Sequence, residues 1–221
     1  MDGFFSGFGS INDILIDVAI IAIPALICIT IHELAHGYIA YRLGHNTAKQ
    51  MGRLTLNPIK HIDLVGLVMI LLVGFGWAKP VPVNMRNFKH PKWYMAITAI
   101  AGPLSNIILA VFVILVLVLL PMTTPVIVRT IVNRMAFLSV ILAIFNLLPI
   151  PPLDGSKVLF SLLPNDKYNK LMQYERFGMI LIIALLFSGR FLEFDIFTNI
   201  VILPAWVMFS NIYEFFISIL I

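Results

Sequence analysis

The sequence predicts an all-α polytopic membrane protein of about five to six transmembrane helices, with a small membrane-associated β-hairpin or sheet and a re-entrant segment. Three observations carry that expectation. Of the 221 residues, 60% are hydrophobic and 12% charged, whereas an ordinary soluble domain is about 45–50% apolar and about 25% charged. The mean hydropathy is +0.99. The apolar residues also gather in runs that reach or approach the roughly 20 residues needed to cross a bilayer.

Composition narrows the partners. A net charge of +4 and a pI near 9.3 raise the question of nucleic acid. The 15 Lys and Arg residues instead sit in short connections between apolar runs, as juxtamembrane cations do. The expected environment is therefore the lipid bilayer, with no nucleic acid. Cys28 is the single cysteine; it lies in an apolar run, can form no disulfide within the chain, and reads as a small buried thiol.

The first apolar run extends from about Ile14 to Leu43 and contains Pro24 and the polar group His32 to His36. It is too long for one straight crossing, so a tilt or kink is expected. The N-terminus lacks a basic region and a small-residue cleavage site, so this span should be retained. The polar stretch that follows has short apolar alternation flanked by Gly52 and Asn57-Pro58, the pattern of a strand or hairpin. Residues 62–78 are apolar but short and rich in glycine. Further spans are expected at Trp93–Leu120, about Ile131–Ile150, near Phe177–Ser188 and at Thr198–Ile221. No soluble domain interrupts the series, so residues 1–221 read as one membrane domain, its core at about 12–163 and additional C-terminal helices beyond.

Arg42, Lys49, Arg53, Lys60, Arg86, Lys89 and Lys92 all fall between residues 42 and 92. Cytoplasmic connections keep such an excess of cations, so both ends of this region should lie in the cytoplasm. Residues 62–78 could then only dip into the membrane and return, shielded by protein or water.

His32-Glu33-Leu34-Ala35-His36 carries the chemistry. On a helix the two histidines project from one face and can share a metal ion. Glu33 sits about 100° round the helix, placed to act on water as a general base. Three ionisable side chains inside an apolar run need a partner or a function. A catalytic zinc site usually takes three protein ligands and leaves one position open. Asp154, in the proline-broken stretch Pro149-Ile150-Pro151-Pro152-Leu153-Asp154-Gly155, is the candidate third ligand; the lesser alternative is a helix N-cap. An alternating topology brings Asp154 to the cytoplasmic side, where the histidines lie.

These motifs resemble those of the site-2 protease family of intramembrane zinc metalloproteases, particularly small members without a PDZ domain. HELAH is similar to the family's first zinc motif, and Leu153-Asp154-Gly155 to its second. The resemblance implies His32, His36 and Asp154 as zinc ligands, Glu33 as catalytic base, and Asn146 as the residue that orients the substrate carbonyl. GRLTLNP, KPVPV and Ala101-Gly102-Pro103-Leu104-Ser105-Asn106 also look like family segments. The implied activity is hydrolysis of peptide bonds in or near transmembrane segments of membrane-protein substrates, in a prokaryotic cell membrane, with the active site towards the cytoplasm.

A metal-ion transporter lined by the same His and Asp residues is the competing class. A soluble zincin anchored by spans is disfavoured, since no segment could form its domain. In Lys79-Pro80-Val81-Pro82-Val83, prolines two apart put both missing N–H groups on one strand edge, leaving Lys79, Val81 and Val83 free to receive an extended substrate. The alternative is a proline-rich connector. His45, His61 and His90 read as surface residues, and Asn106 as a bond to another helix.

Overall fold

The computed structural model describes residues 11–66, 68, 79–84, 88–191 and 194–220. Four helical stretches among them are long and apolar enough to cross a membrane: Ile16–Arg42, Pro91–Leu119, Val126–Asn146 and Thr198–Leu220. The first lies in α1 (Ile11–Arg42), which continues unbroken through the buried Pro24. Its 32 residues correspond to about 48 Å at 1.5 Å each, well beyond an about 30 Å hydrocarbon layer.

After a one-turn helix α2 (Thr47–Gln50) comes α3 (Pro91–Leu119), started by Pro91 and followed by Pro121. Its buried residues, Ala99, Gly102, Pro103, Asn106, Ala110, Val113, Ile114 and Leu117, recur every three or four positions and so form one stripe. That stripe faces α1 and α4 (Val126–Asn146). Ala110, Ala136 and Ala143 are fully buried, letting the helix backbones approach closely where no hydrophobic effect drives them together. Ala205 and Phe209 of α9 (Leu203–Leu220) close this core.

Between α4 and α9 the helices are short: α5 (Asp154–Phe160), α6 (Asn165–Met172), α7 (Glu175–Leu186) and α8 (Ser188–Phe191). The expected span near Phe177–Ser188 does not form. α7 has 12 residues, about 18 Å of helix, and Ser188 stops it. Its hydroxyl donates to Leu185 O at 2.8 Å and accepts the Ile196 N–H at 3.0 Å, while Asp195 takes the Thr198 N–H at 3.1 Å. A π-helical turn, Thr198–Ile202, then leads into α9, ending beside Pro204, which has no N–H for the helical ladder.

The expected β-hairpin is also absent among the described residues. Pro80 and Pro82 remove two ladder donors, the Lys79 N–H goes to His61 O at 3.0 Å, and the Val81 N–H goes to a side chain. Arg53 joins the two segments instead, donating to Lys79 O at 2.6 Å and Pro80 O at 3.3 Å. Asn57 caps a 3₁₀ turn at Pro58–Lys60 where the sequence suggested a strand end. Of the expected re-entrant segment at 62–78, residues 67 and 69–78 lie outside the described residues.

The hydrogen bond between Lys79 and His61 brings the two ends of that segment together, so one crossing cannot separate them. Single cysteines at Asn46 and Lys89, in a Cys28→Ser background, are therefore expected to label from the same side of oriented vesicles. Labelling from opposite sides would contradict this connectivity.

Candidate metal centre

His32 and His36 lie one helical turn apart on α1, and Asp154 opens α5 after the proline-rich break. The chain puts Asp154 there through a tight turn in which Leu153 N–H bonds Ile150 O at 2.8 Å. Gly155 is required beside it: a Cβ would lie 2.6 Å from Leu148 O and closer still to the Leu147 carbonyl.

The three side chains converge. His32 Nε2 and His36 Nε2 are 3.0 Å apart, and Asp154 Oδ2 is 3.2 Å from the first and 3.0 Å from the second. Among the described residues they form the one group of three or more His, Cys, Asp or Glu side chains able to hold a metal ion. Tetrahedral zinc with bonds of about 2.0–2.1 Å separates its ligand atoms by about 3.3 Å, so this triangle and its N/N/O donor set fit zinc. Two facing imidazole nitrogens with lone pairs repel unless a cation or proton lies between them, which favours the same conclusion.

Their surroundings hold this geometry. The His36 Nδ1–H donates to Thr98 O at 2.7 Å, leaving the Nε2 lone pair directed into the triangle. Asn106, fully buried, places its side-chain amide 3.2 Å from His32 Nδ1. Lys157 Nζ is 3.3 Å from Asp154 Oδ1, leaving Oδ2 to face the histidines. Burial alone would raise the Asp154 carboxyl, but the His36 and His32 rings and the Lys157 ammonium hold it well below the usual carboxylate range.

The triangle opens on a cleft of about 360 Å³, lined also by Glu33, Val81, Val83, Asn146 and Lys157. Glu33 Oε2 accepts the Val81 N–H at 2.8 Å, which ties the carboxylate to the two-proline segment. Val83 makes no hydrogen bond among the described residues through its N–H. Lys79 is exposed and its N–H is engaged by His61. Asn146 donates to Leu142 O at 2.9 Å and borders the same cleft. Cys28 is buried with its thiol directed at Met135 O, 3.5 Å away, and is not part of the triangle.

Two histidines depart from the surface role expected of them. His45 and His61 are 1% and 2% exposed. His45 Nε2 accepts the Asn84 N–H at 2.9 Å, and His61 Nε2 donates to Thr55 O at 2.9 Å. The His45 ring thereby braces the segment that carries Val81, which His61 meets only through its backbone carbonyl, the acceptor of the Lys79 N–H. His90 is exposed, as expected. Sequence reasoning did not give roles to Thr98, Gly102 and Lys157; the four-residue spacing of Thr98, Gly102 and Asn106 against the histidines was the available signal.

A bundle of apolar helices enclosing a two-histidine, one-aspartate centre with an adjacent glutamate defines a membrane-embedded metalloprotease. The chain belongs to peptidase family M50, the site-2 protease family, whose model matches residues 19–126 and 121–188. It is 44% identical over 172 residues to YwhC of Bacillus subtilis, whose name assigns it provisionally to the zinc metalloproteases; the match covers 75% of this chain and 78% of the relative. Rip2 of Mycolicibacterium smegmatis, named in the same way, is 28% identical over 74% of this chain and 64% of its own length. A Methanocaldococcus jannaschii protein so named is 33% identical over 59% of this chain and 69% of its own. No solved structure matches.

Gly102 lies where α3 meets both histidine rings. A Cβ there would fall within 2.6 Å of His32 Cε1 and closer to the His36 ring. Gly102→Ala is expected to displace the rings and weaken zinc binding about tenfold or more, read by chelator competition. Wild-type affinity in that variant would show that the rings have room to give.

Proposed function

We propose that this protein is an intramembrane zinc endopeptidase of the site-2 type, cutting peptide bonds in or near transmembrane segments of membrane-protein substrates. The observation that carries this reading is the convergence of His32, His36 and Asp154 within 3.0–3.2 Å, beside Glu33 in one cleft, inside a bundle of apolar helices. When bound, zinc supplies Lewis acidity to the scissile carbonyl and to the attacking water.

The protein's own groups do the rest. Glu33 takes the proton from the attacking water and returns it to the leaving amide nitrogen, so that one water is consumed and an acid and an amine are released. Asn146, at the rim of the cleft, orients the substrate carbonyl. Lys157 pairs with Asp154 Oδ1 and leaves Oδ2 to face the histidines. The Val81 N–H holds the Glu33 carboxylate towards the cleft.

A helical substrate hides its carbonyls in its own hydrogen bonds and must be unwound before attack. The two-proline segment suits an extended partner. Its Val83 N–H has no acceptor among the described residues, so we place the substrate along Val81 and Val83, with Lys79 at the segment's exposed start. The cation-rich connection from 42 to 92 favours a cytoplasmic site in a prokaryotic cell membrane.

Purified His32→Ala, His36→Ala and Asp154→Ala proteins are expected to lose zinc, measured by elemental analysis. Glu33→Gln should keep it and lose about 10²–10⁴-fold in cleavage rate. Full zinc and full cleavage in Asp154→Ala would require another ligand, and full cleavage in Glu33→Gln would remove the assigned base.

Val83→Pro leaves the Val81 contact to Glu33 intact and deletes one pairing donor. Cleavage of a membrane substrate is expected to fall about fivefold, the equivalent of one hydrogen bond of about 1 kcal/mol, at unchanged zinc content. An unaltered rate would place the substrate elsewhere.

A further inference from the structure

Helix α3 meets the two histidines at matched intervals. Thr98 and Asn106 are eight residues apart, one facing each ring, and Gly102 midway gives both rings room. On the His36 side the relation is fixed, since a carbonyl can only accept and Nδ1 must therefore carry the proton. On the His32 side it is not, because an amide offers a donor at one end and an acceptor at the other. In the orientation present, Asn106 Nδ2 lies 3.2 Å from His32 Nδ1, and Asn106 Oδ1 is buried with no hydrogen-bond partner.

The metal reading decides between the two ends. A donor at Nδ1 puts the histidine proton on Nε2, the atom 3.0 Å from His36 Nε2 and 3.2 Å from Asp154 Oδ2. No lone pair then remains there for a metal. A half-turn of the amide brings Oδ1 to Nδ1, and it forfeits no bond elsewhere, because Oδ1 makes none. The backbone of Asn106 is meanwhile held to α4 by Ser139, whose hydroxyl donates to Asn106 O at 3.0 Å, so the side chain turns on a fixed base.

We infer that Asn106 is a positioning residue that accepts the His32 Nδ1–H in the metal-loaded protein and so directs the His32 Nε2 lone pair at the ion. This inference rests on the metal reading above. With the ion bound, it is the amide oxygen that must face His32 Nδ1. Such partners of a metal-bound histidine typically change affinity by about 10–100-fold when removed.

Zinc affinity by chelator competition, measured on wild type, Asn106→Leu and Asn106→Asp, tests this. Asn106→Leu, which keeps approximate volume without an acceptor, is expected to bind about 10–100-fold more weakly. Asn106→Asp, which can only accept while ionised, should recover most of that loss. Equal weakening in both variants, or wild-type affinity in Asn106→Leu, overturns the inference.

A second measurement needs no variant. Nitrogen NMR of zinc-loaded protein with ¹⁵N-labelled histidine should find the His32 proton on Nδ1, and a proton on Nε2 overturns the assignment. Wild-type protein that binds no zinc in the same titration would instead fail the metal reading itself, a result distinct from any difference between variants.

Discussion

The arrangement depends on one constraint: two imidazoles and a carboxylate must share a point inside an apolar bundle. Polar and ionisable side chains enclosed among apolar helices are costly unless they are paired, so each of the three groups needs a compensating partner. They serve partly as partners for one another, at 3.0–3.2 Å. The remaining polar atoms are matched individually, by Thr98 O, the Asn106 amide and the Lys157 ammonium. Satisfying those atoms dictates where α3 and α5 must lie relative to α1.

Close approach follows from that requirement. α3 can reach both histidines only because Gly102 has no side chain between them, and it can stay there only if its flanking contacts are small. Ala99 and Ala110 continue the same stripe at one and two turns' distance, almost or fully buried. Thus the residues that pack the helices and those that aim the ligands alternate along one face. Apolar burial gives no net drive inside lipid, so close van der Waals contact and the buried polar bonds hold these helices together. The site is consequently part of what holds the bundle.

The convergence of the candidate metal triad was legible because its pattern is local. The spacing of His32 and His36 fixes their common face, and prolines around Asp154 announce a broken helix. The long spans α1, α3, α4 and the last helix were legible from hydropathy alone. α7 was misjudged because its apolar run continues in sequence past the point where Ser188 and Asp195 redirect the backbone, a tertiary decision with no periodic signal. The strand expectation at 52–58 and 79–84 failed for a related reason. Alternation predicts which residues could pair, but here side chains of Glu33, Arg53 and His45 take the backbone groups that a ladder would use. Asn106 looked like a generic interhelical contact, since its partner is 74 positions away.

That substitution of side chains for a ladder also gives the two-proline segment its use. A strand paired along the edge of Lys79, Val81 and Val83 would have spent those amides on its neighbour, whereas here Pro80 and Pro82 offer none and the others are met singly. Lys79 anchors to His61, Val81 to Glu33 and Asn84 to His45, while the Val83 amide, beside the cleft, meets no acceptor among the described residues. His45 is buried with its ring holding the end of this segment at Asn84, whereas the buried His61 ring bonds Thr55 O and reaches the segment only through its backbone carbonyl. The segment is therefore extended without belonging to a sheet, and its position is tied to the Glu33 carboxylate through one backbone N–H. An extended peptide laid along it would meet Glu33 and the His32–His36–Asp154 triangle at a separation fixed by that single contact.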